Sequence, residues 1–308
     1  MNTNGPTFLH KSVIGNNQVN NSHFILGFVS GKKTEDDIDS KSGKSKSLKS
    51  KANLKKYLLI EHENNVLSNN DFDFNKICES YLLQKNLAES CPGILPIYNI
   101  FKDEDNKILQ IATKYPKSGI LSTYLPGFKG YPNQICSFEK LNPTKKTIIM
   151  YGIAKIMNFL HSKKIFFRDL SPENIFLDKK FYPYLTNFNR CIKNANIDEL
   201  QNDVFSYSLI YIGMFGVIDI IPAEGEIEDN SINDYNSQSI ISKISSMRDG
   251  ARPRLDDKPD LTENQKNILL TIWDDDEDKP SFSDIIRLFD EEDLIFNGTN
   301  MIKFEEYK

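Results

Sequence analysis

Between residues 56 and 115 short apolar runs alternate with one helical stripe. KYLLIEH (56–62) reads as a strand. Phe74, Ile77, Cys78 and Tyr81 recur at i, i+3, i+4 and i+7, the spacing of an amphipathic helix. ILPIYNIF (94–101) and KILQIATKY (107–115) read as a strand pair around the turn DEDN. From about residue 118 the helical period takes over. Ile149, Ile153, Ile156 and Leu160 form one stripe. Asp178–Phe181 read as a turn between the short strands IFL and YPYL. Thr262 and Gln265 fit a capping box, in which each side chain satisfies the other's backbone N–H, ahead of the apolar ILL. Phe282, Ile285, Ile286 and Phe289 line a last long helix. The pattern predicts an α+β chain: a small antiparallel sheet with one helix, then a larger, mainly helical lobe.

Composition leaves this picture in place. The chain has 308 residues, 39% hydrophobic and 26% charged, with a net charge of −5. Those values suit a globular protein long enough for two unequal cores. The acidic balance gives no reason to expect nucleic acid as a partner. The ten-residue run Leu209–Ile218 is too short to span a bilayer and reads as a buried helix. The N-terminus lacks a basic segment followed by an apolar one, so no signal peptide is expected. Cys78, Cys91, Cys136 and Cys191 lie far apart with no C-x-x-C pair, which suits reduced thiols in a cytoplasmic protein.

Charge is unevenly spread. Residues 1–56 carry a net +6 and the remaining 252 carry −11. The excess sits in KSGKSKSLKSKANLKK (41–56), whose seven Lys and few large apolar residues predict a solvated loop. Gly43-Lys44-Ser45 is not a phosphate loop, because that pattern needs Gly at 38 and Ile38 is there. The expected organisation is N-terminal strands with this loop over 1–56, the rest of the small lobe over 57–116, the large lobe over 117–290 and a tail over 291–308.

The segment LHSKKIFFRDLSPENIFLDKKFYPYLTNFNRCI (160–192) carries the chemistry. It resembles the catalytic and metal-binding loops of protein kinases. Phe167-Arg168-Asp169 stands at the family's H-R-D, Asn174 five residues later at its Asn, and Asn187-Phe188-Asn189 at its D-F-G. SYLLQKNLAESCPGILPIYNIF (80–101) resembles the helix the family calls C and the strand after it, which makes Glu79, just before it, the candidate glutamate, with Leu83 one turn on. Thr113 and Tyr115 fall at the gatekeeper and hinge, and Asp203 at the start of the helix called F. GARPRLDDKPDLTENQKNILLTIWDDDEDKPSFSDIIRLF resembles the end of tyrosine-kinase-like Ser/Thr kinase domains. The resemblance covers roughly 12–290. It implies the bilobal kinase fold, with Asp169 as candidate base, Glu79 as nucleotide-site glutamate, Gly15, Thr113 and Tyr115 at the nucleotide, and Asn174 and Asn187 at the metal.

Against that pattern the chain is degenerate. Phosphoryl transfer needs phosphates positioned, their charge neutralised by Lys and Mg²⁺, and a base beside the hydroxyl. Asn187 replaces the metal-binding carboxylate by a neutral amide. Asn189 replaces the glycine that would let the loop turn freely. Of the phosphate-loop glycines only Gly15 is kept when residues 14–20 are laid on the pattern. The strand lysine falls on Ile60 or Glu61, with Lys55 and Lys56 several residues early. A Glu facing phosphate at ~4 Å, at an effective dielectric of ~20, costs about 4 kcal/mol. Leu58 or Leu59, and Phe176, stand where the family keeps small or slimmer residues around adenine.

Only 14 residues separate Phe188 from Asp203, too few for an activation segment with its A-P-E. Lys279 stands where the family has the Arg that pairs with that Glu. Packing positions persist while charge-handling positions are lost. The expectation is a pseudokinase, a scaffold or allosteric module for protein partners in signalling, with no cofactor. The alternative is a residual Ser/Thr kinase using ATP with Mg²⁺.

Overall fold

The computed structural model describes residues 10–17, 22–30, 54–63, 74–102, 108–125, 141–194, 197–216, 220–221, 252–256, 258–274 and 279–308. The turn DEDN, the Lys/Ser-rich run up to residue 53 and Cys136 lie outside them. The fold is α+β and bilobal. Its two compact units are Met1–Cys78 with Pro96–Tyr115, and Glu79–Leu95 with Pro116–Lys308.

The first unit holds one five-stranded antiparallel sheet. Its strands are β1 (His10–Asn17), β2 (Ser22–Ser30), β3 (Leu54–Glu63), β4 (Ile97–Lys102) and β5 (Ile108–Lys114), in the order β1-β2-β3-β5-β4. A register shift between Val13 and Gly15 puts a bulge in β1. β3 takes in the last three residues of the predicted basic loop. All nine residues of β2 pair with it, from Ser30 opposite Leu54 to Ser22 opposite His62. Ladder pairing, not apolar content, sets the strand's length, so Leu54–Lys56 belong to the sheet and not to the loop read over 41–56. Leu58, Ile60, Ile97, Ile111 and Ala112 are buried in this unit.

Helix α1 (Phe74–Ala88) straddles the division. Its apolar stripe buries Cys78 and Tyr81 as its spacing predicts, and the same stripe continues into a polar residue, Gln84, which is fully buried.

The second unit is built on α2 (Pro143–Ser162). Asn142 caps its start by accepting from Lys145 N–H, and Pro143 occupies the first turn, where its missing N–H does no harm. Ile149, Ile153, Ile156 and Leu160 are all buried. The short strand β6 (Gly119–Ile120) precedes α2, and β7 (Ile165–Phe166), β8 (Ile175–Leu177), β9 (Pro183–Leu185) and β10 (Ile192–Lys193) follow it. After α3 (Ile197–Gly213) come β11 (Ile220–Ile221), β12 (Arg252–Pro253), α4 (Glu263–Trp273), α5 (Phe282–Asp290) and α6 (Met301–Glu305).

Capping boxes open both α4 (Thr262/Gln265) and α5 (Ser281/Asp284). The tail read over 291–308 ends in α6, which packs on α2: Phe304 and Tyr307 close edge-on around Tyr151. The Tyr307 hydroxyl lies so close to Gly152 that a Cβ there would fall 2.2 Å from it and 2.6 Å from Pro183 Cγ. The chain's only tryptophan, Trp273, is buried and donates its Nε1–H to Ser208 Oγ at 2.8 Å. Among the described residues no helix is long and apolar enough to cross a membrane.

Candidate functional site

Strand pairing assembles the site. β7 leads out of α2 into the loop 167–174, β8 and β9 form a hairpin, and β10 returns to pair antiparallel with β7, Ile192 opposite Phe166. That return brings residues 186–191 beside 167–174. Thr186 N–H donates to Asn174 O at 3.0 Å, and the Phe188 ring meets the Phe167 ring edge-on at 5.2 Å.

Asp203, on α3, fixes the first half of the loop. Its fully buried carboxylate accepts from Phe167 N–H (2.8 Å) and Arg168 N–H (2.7 Å), and His161 Nε2 lies 2.9 Å from it. The bonds explain how Arg168 holds a left-handed backbone (φ 63°), a conformation that costs a non-glycine residue about 1–2 kcal/mol. Asp203 is therefore a positioning group for the stretch that carries Asp169.

The second half of the loop collects three of the candidate residues. Asn174 Nδ2 donates to Asp169 O (2.8 Å) and to Asp169 Oδ2 (3.1 Å). Asn187 Nδ2 donates to Asn174 Oδ1 (2.9 Å) and reaches Asp169 Oδ2 at 3.4 Å. Burial raises the Asp169 carboxyl above its ordinary value, against the opposing pull of Arg190 and of the Asn174 bond. Burial raises Glu173 in the same loop as well.

Asn187 sits in the left-handed region (φ 67°, ψ 65°). Asn and Asp tolerate that region better than other side chains, so the backbone turn survives the loss of charge. Asn189 does not adopt a positive φ; it lies in a 3-10 turn, Phe188–Arg190. The freedom of a glycine is not needed there, and the Asn189 side chain instead takes a hydrogen bond from Ser80 Oγ.

This donor set does not fit a divalent cation. Mg²⁺ asks for anionic oxygens in octahedral array. Here position 187 turns N–H hydrogens toward both of its neighbours, and Asn174 Oδ1 is taken by one of them. Asn187 Oδ1 is buried with no hydrogen-bond partner, so position 187 leaves open a neutral oxygen and not a charged one. Among the described residues no three His, Cys, Asp or Glu side chains are placed to hold a metal ion.

The other candidates stand as follows. Glu79 is exposed; the residues that α1 sends to the loop are Ser80 and Gln84. In the first unit Gly15 lies at the β1 bulge, Tyr115 is half-buried, and the buried Thr113 donates its hydroxyl to Pro96 O at 2.6 Å. Ile60, one of the two residues on which the lysine position falls, is buried in the sheet's core, as is Leu58. In the second unit Phe176 is buried on β8. Lys279 donates to the carbonyl of Asp274 (2.9 Å) at the end of α4, where a cation suits the helix terminus. Three residues lie between the end of β10 at Lys193 and the start of α3 at Ile197.

Ser80 and Gln84 escaped the sequence reading as loop contacts. A signal was available for one of them: Gln84 continues the α1 stripe at i+3 from Tyr81, and a polar residue on an apolar stripe needs partners.

Similarity to known proteins agrees with this geometry. The protein kinase domain family model matches residues 46–212, just over half the chain. A tyrosine-protein kinase receptor of Caenorhabditis elegans, svh-2, is 25% identical over 229 residues, covering 69% of this chain and 20% of the receptor. The tyrosine kinase receptor Cad96Ca of Drosophila melanogaster is 25% identical over 214 residues, 64% of this chain and 27% of its own length. The cAMP-dependent protein kinase type 3 of Saccharomyces cerevisiae is 29% identical over 99 residues, 32% of this chain and 22% of that enzyme. The chain thus spans only a fifth to about a quarter of each of these relatives. With the loop pairing, the buried anchor at Asp203 and the family match taken together, the chain belongs to the protein kinase domain family.

Proposed function

We propose that this domain is a pseudokinase: a kinase fold that serves as a scaffold or allosteric module for protein partners in the cytoplasm and does not transfer phosphate. One observation carries the reading. The Asn187 amide donates toward Asn174 Oδ1 and Asp169 Oδ2, so hydrogens occupy the space in which a cation would need oxygen lone pairs. Two further features support it: neither Ile60 nor Glu61 supplies a cation for phosphate at the strand-lysine position, and three residues between β10 and α3 are too few for a peptide-substrate platform.

The test is a thermal melt with millimolar ATP, alone and with Mg²⁺ or Mn²⁺. A ligand at a hundred times its Kd stabilises by about 2.7 kcal/mol. At roughly 2–4 °C per kcal/mol that is a shift of several degrees. The pseudokinase reading expects no metal-dependent shift. A metal-dependent shift, followed by phosphate transfer that Asp169→Ala abolishes, would establish instead a residual Ser/Thr kinase, which the retained pair Asp169 and Asn174 favours.

A further inference from the structure

We infer that residues 79–88 of α1 and the loop 186–189 form one pre-assembled body, locked by uncharged side chains and independent of nucleotide or metal. The lock has two parts, one helical turn apart on the same face of α1. Gln84 uses both ends of its amide. Nε2 donates to Leu95 O at 2.9 Å and lies 3.2 Å from Thr186 Oγ1; Oε1 accepts from Asn187 N–H and from Thr186 Oγ1, each at 3.3 Å. Ser80 Oγ donates to Asn189 Oδ1. Ser80 and Gln84 are both buried.

The loop is thereby held at residues 186, 187 and 189, on both sides of Phe188, whose ring is itself buried against Phe167. Leu95 and Leu185 tie the same region from outside, Leu95 N–H donating to Leu185 O at 2.9 Å and Leu185 N–H to Gly93 O at 2.8 Å.

None of the groups from α1 carries a charge. Salt does not screen these bonds and pH in the neutral range does not titrate them. Glu79, the charged group on this stretch of α1, is exposed. An ion pair completed by ligand would make the helix a switch; buried amides and hydroxyls make it a fixture. The domain offers partners one conformation of α1, and its output is set by who binds, not by a ligand that moves the helix.

Hydrogen exchange on the full chain tests this. The expected result is that amides 187–191 are protected without ligand, and equally protected with ATP and Mg²⁺. Ser80→Ala and Asn189→Ala should each raise exchange at 188–191 about tenfold while leaving α2 unchanged, and the double variant should exchange no faster than either single one, because both remove one bond. Fast exchange in the unliganded parent, protection that appears only with nucleotide, or additive effects of the two substitutions would each overturn the lock. The lock stands apart from the proposed function: metal-dependent ATP binding with a loop already protected would end the pseudokinase reading and leave the lock in place.

Discussion

Asp203 and Asn187 bind neighbouring stretches of one loop, and the chain treats them in opposite ways. At 203 a carboxylate is kept, fully buried, with two backbone N–H groups and a histidine nitrogen around it. At 187 the family's carboxylate has become an amide, next to the one carboxylate that remains, Asp169. The difference lies in what each charge faces. A carboxylate that faces backbone donors is part of the fold, since its loss strands buried N–H groups whatever the protein does. A carboxylate that faces a cation is supported only while the cation is there. Without it, two acids at ~4 Å repel by about 4 kcal/mol at an effective dielectric of ~20. An amide at 187 removes that repulsion and adds a donor.

The sharpest way to break the comparison is Asp203→Ala. It should cost about 3–5 kcal/mol, since it leaves three buried partners unsatisfied. Urea unfolding followed by the fluorescence of Trp273 measures it, and a loss under ~1 kcal/mol would deny Asp203 its role. Next comes Asn187→Asp. In the absence of metal it should lose about 2–4 kcal/mol at pH 7 by the same repulsion. The loss should shrink on acidification, as the acid pair comes to share a proton. A variant as stable as the parent at pH 7 would show that charge was never the issue at this position.

Gly152→Ala should destabilise by about 1–3 kcal/mol by overpacking, because the new methyl would overlap the Tyr307 hydroxyl and Pro183. Tyr307→Phe in the same chain should recover part of this; no recovery would mean that the tail does not set the limit. The smallest effect is at Asp169. Its carboxyl is raised by burial, so just above the ordinary carboxylate range the native state holds more protons than the unfolded chain. Its contribution to stability is therefore greatest at low pH and falls as pH rises through that window. Asp169→Asn keeps the acceptor and removes the titration. The parent should lose stability relative to this variant as pH rises through and above the ordinary carboxylate range, and a flat difference would deny Asp169 a raised carboxyl.

What the sequence made legible was local. The α2 stripe, the Thr262 capping box and the turn at Asp178 are written in residues a few positions apart, and each is found in the structure. The spacing of Asp169, Asn174 and Asn187 was readable for the same reason: they lie in the loop before one short hairpin and just after it. The contacts of Gln84 and Ser80 were not, because their partners lie more than a hundred residues away in the chain. Position 189 misled for a related reason. A glycine in a family pattern suggests a positive φ, but the 3-10 turn here needs none, and a side chain that can accept from Ser80 is of more use. The start of β3 was missed because lysines hid a strand whose length is set by its neighbour β2.

The short passage from β10 to α3 has a consequence for reversibility. Asn187 is one base change from Asp and Asn189 two from Gly, so the metal loop is within reach of ordinary mutation. No point change lengthens the 14 residues between Phe188 and Asp203. Regaining a peptide platform would need an insertion between β10 and α3, which three residues now join. On the reading proposed above, the return to an enzyme is limited by a length of chain and not by a chemical group.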